Sequence, residues 1–229
     1  RRQWFNSAFR IHGSGEEDVR YDKNVLLPFG EYMPFASVLP FLKKIQGVGN
    51  YQPGDGIRIY EAVDQVRFAY LICYEAILSR YVRRAVNQGA NLLVNITYDA
   101  WFGDTACPHQ HFMLSALQAA QYGVPLVRSA TTGISAFVDA RGVITDTTEI
   151  FTRDVLVRPV KLVRMPGIYA RLGDWFAWGC VLLCVVLLVQ AERRNTAPRT
   201  WRSRWPLGIF LFAAAANAAV VTLGLGPMG

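Results

Sequence analysis

Three short apolar runs, residues 66–72, 91–97 and 125–130, constrain this chain more than any other feature. Each has the length and the aromatic or β-branched content of a strand. Between them, residues 78–89 carry Leu78, Tyr81, Val82, Ala85 and Val86 at helical spacing. Residues 109–123 similarly put Phe112, Met113, Ala116, Leu117 and Ala120 on one predicted face. Strands alternating with helices imply an α/β domain with a sheet covered by helices. A hairpin is predicted over residues 134–145, turning at Asp139-Ala140-Arg141-Gly142. Residues 13–18 read as a hairpin or loop, and the proline- and glycine-rich stretch 34–53 as a loop or short helix. Within it, the apolar residues 35–42 pack under a loop or form a lipid-facing lid.

The composition changes after Pro166. Residues 175–191 are free of charge for 17 positions and residues 205–229 for 25. The first is near the lower limit for crossing a bilayer, and Trp175, Trp178, Trp201 and Trp205 lie near the ends of the two runs, as interfacial aromatics do. The net charge of +7 does not point to nucleic acid, because Arg193, Arg194, Arg199, Arg202 and Arg204 crowd the short segment between the runs. That is the pattern of a cytoplasmic membrane flank. The expected organisation is a catalytic domain over residues 1–166, a transmembrane helix over 167–191, a basic loop over 192–204 and a second hydrophobic, transmembrane segment over 205–229. Of the four cysteines, Cys180 and Cys184 lie in an apolar run, so the even count implies no disulfide framework. The first residues, Arg1-Arg2-Gln3-Trp4-Phe5-Asn6, precede no signal-like apolar stretch.

Cys73 ends the strand-like run 66–72 and precedes a helical pattern. A cysteine on such a turn gains from helix-end N–H groups, which favour a thiolate and can hold an oxyanion. The competing reading is a buried, inert cysteine. Glu75, two residues on, either supports such a site or complements the dipole of the following helix. Cys107, His109 and His111 suggest a metal, but alternate residues on a helix do not converge and no fourth ligand is evident, so no metal is expected. His109 or His111 can instead pair with Cys73 as in cysteine proteases. Trp101 and Phe102 belong either to core packing or to a wall that contacts lipid or substrate.

Several motifs occur in order: Lys23 followed by Pro28-Phe29-Gly30-Glu31-Tyr32, then Cys73-Tyr74-Glu75, then Asn95-Ile96-Thr97-Tyr98-Asp99-Ala100-Trp101-Phe102-Gly103-Asp104, then Pro108-His109-Gln110-His111. Together they resemble the carbon–nitrogen hydrolase (nitrilase) superfamily and, within it, the apolipoprotein N-acyltransferases of bacterial inner membranes. The resemblance implies a nitrilase-like α-β-β-α sandwich, incomplete at its N-terminus, followed by C-terminal transmembrane helices. It implies catalysis by Cys73 and Lys23, support from Glu31, Tyr74 and Glu75, and no cofactor. The implied reaction moves a fatty acyl group from a phospholipid, through a cysteine thioester, to the N-terminal cysteine α-amino group of an apolipoprotein. The implied location is the bilayer of the inner membrane, with the catalytic domain in the periplasm. The family's first catalytic Glu is expected upstream of residue 1. Two further departures are Tyr98 in place of a usual Asn, and Thr131-Thr132-Gly133 in place of Asn-Asn-Gly. Two alternatives remain open: a membrane-anchored amidase of the same superfamily, or a catalytically inactive membrane-bound binding module.

Overall fold

The computed structural model describes residues 3–17, 19–36, 41 and 48–194. It divides into a unit Arg1–Arg171 and a second unit beginning at Leu172. In the first, β1 (Ser7–Ala8) and β2 (Tyr21–Asp22) form a two-stranded sheet. The main sheet comprises β3 (Tyr60–Glu61), β4 (Arg67–Ile72), β5 (Leu92–Thr97), β6 (Leu126–Ala130), β7 (Ala136–Val138) and β8 (Ile144–Thr147), side by side in chain order. The pairs β4/β5 and β5/β6 are parallel and the others antiparallel. Helix α1 (Ser79–Asn87) connects β4 to β5, and α2 (Ala106–Tyr122) connects β5 to β6.

The period of two along β4 assigns its side chains to two layers. Phe68, Tyr70 and Ile72 join Ala8, Tyr21 and Tyr60 in an aromatic cluster beneath the two-stranded sheet. Ala69 faces the other way and packs with Ala85 of α1 and Ala90. One helical layer and two strand layers of the expected sandwich are thus present. The outer helical layer beyond β1 and β2 has no counterpart among the described residues.

Both predicted crossover helices form, with shifted starts. Cys73–Ile77 makes a separate 3-10 segment before α1. Helix α2 begins three residues before His109 because the Thr105 side chain accepts from the Cys107 N–H and caps it, and Pro108 is tolerated in the first turn. The expected face of α2 is corrected. Met113, Leu117 and Ala120 are exposed, whereas His111, Phe112, Ser115, Ala116, Ala119 and Tyr122 are buried. Hydropathy misplaced the stripe because its buried members include the polar residues His111, Ser115 and Gln118, the first two of which meet Arg128 of β6. The predicted hairpin forms as β7 and β8, and its turn is closed by Asp139 Oδ1, which accepts from the N–H groups of Arg141 and Val143.

The expected span at residues 167–191 forms two helices, α3 (Ile168–Leu172) and α4 (Trp175–Arg194), separated at Gly173 with φ 62°. Among the described residues no helix is long and apolar enough to cross a membrane. The charge-free stretch of α4 extends about 26 Å at 1.5 Å per residue, short of a hydrocarbon core of about 30 Å. The second hydrophobic segment, 205–229, and residues 195–204 of the basic loop lie outside the described residues, as does most of the proposed lid at 35–42.

Candidate active site

The parallel strands β4, β5 and β6 all end at the same edge, which is where open α/β sheets place their ligands. Cys73 follows β4 directly, half-buried, with φ at 51°. A side chain in this left-handed region costs on the order of 1–2 kcal/mol, so the surrounding contacts must impose it.

Glu75 supplies much of that constraint. It is fully buried, and its carboxylate accepts from four donors. Oε1 accepts from the backbone N–H groups of Asn24 at 2.6 Å and Val25 at 3.0 Å. Oε2 accepts from the Ile72 N–H and the Tyr21 hydroxyl, both at 2.8 Å. One side chain therefore fastens the segment after Lys23 to the residue before Cys73. Burial pushes the Glu75 carboxyl up from its ordinary value, against the opposing pull of the Ile72, Val25, Tyr21 and Asn24 hydrogen bonds. Glu75 also caps the Cys73–Ile77 turn through its bond from the Ile72 N–H, so the helix-end and site-supporting readings both hold. Tyr21 and Asn24 also bond Tyr81 of α1, each at 2.7 Å, which extends the fastening into the helical layer.

Lys23 follows β2 and is buried, with 1% of its surface exposed. Its Nζ lies 2.6 Å from Glu31 Oε2, and Glu31 also accepts from the Leu27 N–H and the Asn6 side-chain amide, both at 2.8 Å. An almost wholly buried ammonium needs such a partner. Lys23 and Cys73 are joined through Glu75 rather than by a direct hydrogen bond among the described residues. Tyr74 is half-buried beside Cys73. Trp101 is 81% exposed and is not a core residue, whereas Phe102 is half-buried and sets its ring across that of His111 at 6.3 Å.

A second buried polar cluster lies between the sheet and α2. The register aligns Leu71, Asn95 and Arg128 across β4, β5 and β6. Arg128 is almost completely buried, and its guanidinium donates to Asp99 Oδ2 at 2.6 Å, to Asn95 Oδ1, to Ser115 Oγ at 3.2 Å and to the Ile134 carbonyl at 3.1 Å. Asn95 donates to the Leu71 carbonyl at 2.7 Å. His111 Nδ1 is 3.0 Å from Asp99 Oδ1, and its Nε2 is 3.3 Å from the Cys73 carbonyl oxygen. The protease-like pairing is thereby corrected: His111 meets the main chain of Cys73, and His109 is exposed. Burial pushes the Asp99 carboxyl up, but the His111 hydrogen bond, the Arg128 charge and the Thr97 hydroxyl outweigh it and hold it below the ordinary carboxylate range. Burial likewise pulls the Arg128 guanidinium down, against the attraction of Asp99 and Cys73. The Thr131–Gly133 loop at the end of β6 abuts this cluster, since a methyl added at Gly133 would run into Asp99 Oδ2.

Asp99 and Arg128 went unassigned in the sequence because Asp99 lies in the loop after the run 91–97 and Arg128 is a single charge inside a strand-like run, and neither announces its partner. The available clue is that Asn95, Thr97 and Arg128 interrupt strands otherwise built to be buried.

The chain is 41% identical over 197 residues to an apolipoprotein N-acyltransferase of Geobacter metallireducens, a match covering 86% of this chain and 38% of that relative. It is 35% identical over 188 residues to the Rickettsia prowazekii protein of the same name, covering 81% of this chain and 36% of the relative. The chain thus spans under two-fifths of the length of these curated relatives. Among solved structures, a carbon-nitrogen hydrolase from Helicobacter pylori G27 is similar at 17% identity and a TM-score of 0.49, over 63% of this chain and 52% of that one. The carbon-nitrogen hydrolase family model matches residues 1–167. The chain belongs to the carbon–nitrogen hydrolase family.

Proposed function

We propose that this protein transfers a fatty acyl group from a phospholipid to the N-terminal cysteine α-amino group of apolipoproteins, using Cys73 as the nucleophile. The observation that carries the reading is Glu75. It joins the segment of a buried, ion-paired lysine to the strained turn of Cys73, in a chain similar to proteins named apolipoprotein N-acyltransferase.

In the first half-reaction the Cys73 thiolate attacks the ester carbonyl carbon, forming a C–S bond and an oxyanion near the Lys23 charge. Collapse breaks the ester C–O bond, and the lysophospholipid leaves as its alcohol, taking up the proton that the general base had removed from the Cys73 thiol. In the second, the α-amino nitrogen attacks the thioester carbon. A C–N bond forms, the C–S bond breaks, the amine proton passes to a base, and Cys73 is regenerated. Glu75 accepts four hydrogen bonds, which fill its carboxylate, and Glu31 accepts three and is committed to the Lys23 ion pair. The base is instead assigned to a glutamate in the part of the relatives' length that this chain does not span. Trp101 and Phe102, at the same sheet edge, are proposed to contact the acyl donor.

Membrane attachment is proposed through α4 and residues 205–229, with the catalytic unit in the periplasm and the basic residues 192–204 in the cytoplasm. Helix α4 exposes Phe176, Leu182, Leu183 and Leu187, each by more than half, and a helix apolar all round belongs in a core or a bilayer. Its shortness is accommodated by local bilayer thinning.

Product analysis tests the reading. The full-length protein, given phospholipid and a peptide bearing an S-diacylglyceryl N-terminal cysteine, is expected to yield an N-acylated peptide and lysophospholipid. Free fatty acid with no acylated peptide would make it a hydrolase. Absence of both products would favour the binding module.

A further inference from the structure

His111 has no role in the reaction just described, yet among the described residues it is the side chain that meets the Cys73 main-chain oxygen, with Nε2 at 3.3 Å. A carbonyl oxygen and a carboxylate oxygen can only accept, so the contacts to Cys73 and Asp99 are both hydrogen bonds when each ring nitrogen carries a hydrogen. The ring is itself held. Its Nδ1 faces Asp99 Oδ1 at 3.0 Å, Asp99 Oδ2 is fixed by Arg128 at 2.6 Å, and the Phe102 ring stands steeply inclined to it with centroids 6.3 Å apart. Cys73 is thus gripped on both sides: Glu75 takes the N–H of the preceding residue, and His111 holds the oxygen of Cys73 itself. Between these grips the residue sits at φ 51°, a conformation that relaxes unless both are maintained.

We infer that His111 is a positioning residue, whose Nε2–H fixes the Cys73 peptide so that Sγ is presented in one orientation, with Asp99 and Arg128 holding the imidazole in place. The inference rests on Cys73 as nucleophile, but not on the identity of the acyl donor or acceptor. The contact is to the backbone, so His111 neither takes the thiol proton nor touches substrate.

Two substitutions separate this role from general packing. A glutamine amide nitrogen reaches about as far as Nε2, and an asparagine amide nitrogen only about as far as Nδ1. His111→Gln therefore retains the donor to Cys73, whereas His111→Asn retains only the contact with Asp99. Alkylation of Cys73 by iodoacetamide is measured in the full-length protein, on the protease-resistant fraction so that only folded molecules count, together with kcat and KM for acyl transfer. In His111→Asn both the alkylation rate and kcat are expected to fall by about 10–100-fold with KM unchanged, as for a misplaced reacting group. His111→Gln is expected to stay within about 3-fold, the scale of one weakened hydrogen bond. Equal rates in the two variants, whether both normal or both impaired, would overturn the inference. So would a rise in KM at constant kcat. Should His111→Asn leave no folded fraction, a His111→Gln protein slowed by more than about 10-fold would overturn it alone. Normal discrimination in alkylation without any acyl transfer would support this role for His111 and count against the proposed reaction.

Discussion

Arg128→Met should be among the most disruptive single changes available in this domain. The substitution keeps an apolar stem of similar reach but removes the guanidinium from Asp99, whose side chain is completely buried. Asp99 would then keep only the His111 and Thr97 bonds. Stranding one member of a buried pair typically costs about 3–5 kcal/mol. The Ile134 carbonyl and Asn95 Oδ1 also lose their donor, which places the expected cost toward the upper half of that range. With a urea dependence of about 2 kcal/mol per molar, the midpoint should fall by roughly 2 M. The pH matters to the design. The carboxyl of Asp99 is held below its ordinary value in the folded state, so its stabilising contribution is present above the unfolded value and is lost as pH falls through the folded one. At pH 7 the full effect is therefore available. Pulse proteolysis of the full-length protein in urea measures it, and adding Asp99→Asn supplies the control. With the stranded charge gone, the double variant should be more stable than Arg128→Met by about 1–2 kcal/mol. A single variant displaced by less than about 0.5 M, or a double variant less stable than Arg128→Met, would refute the argument that this pair is a buried, mutually dependent unit.

Two further outcomes are expected. Lys23→Met should reduce single-turnover acylation of Cys73 by well over tenfold, because the lost charge acts on the thiolate and oxyanion; a loss below about 1.4 kcal/mol would place Lys23 outside the centre. For the topology, a cysteine at Ser203, in a background lacking the native cysteines, should resist a membrane-impermeant thiol reagent in intact spheroplasts, and labelling there would reverse the proposed orientation.

The fold was legible wherever periodicity and apolar content agreed. Residues 66–72, 91–97 and 125–130 become β4, β5 and β6 within one residue at each end, because buried parallel strands read as continuous apolar runs. The hairpin was equally clear from its Asp139–Gly142 turn. The face of α2 was not legible, since His111 and Ser115 point inward to polar partners supplied by the loop after β5 and by β6, and no local pattern announces such partners. Of the candidate site, Cys73 stood out by its place at the end of an apolar run, and Lys23, Glu31 and Glu75 by the ordered motifs. The manner of Glu75's action was hidden, because it depends on backbone N–H groups of residues 24, 25 and 72 meeting at one carboxylate. The separation of α3 from α4 at Gly173 was likewise invisible in a count of apolar residues.

The central claim is that Cys73 carries the acyl group, and intact-mass analysis of the full-length protein after incubation with phospholipid tests it most directly. The mass should increase by one fatty acyl group, the adduct should be removed by neutral hydroxylamine as thioesters are, peptide mapping should locate it at Cys73, and Cys73→Ala should abolish it. An adduct on Cys107, or acyl transfer undiminished in Cys73→Ala, would contradict the account.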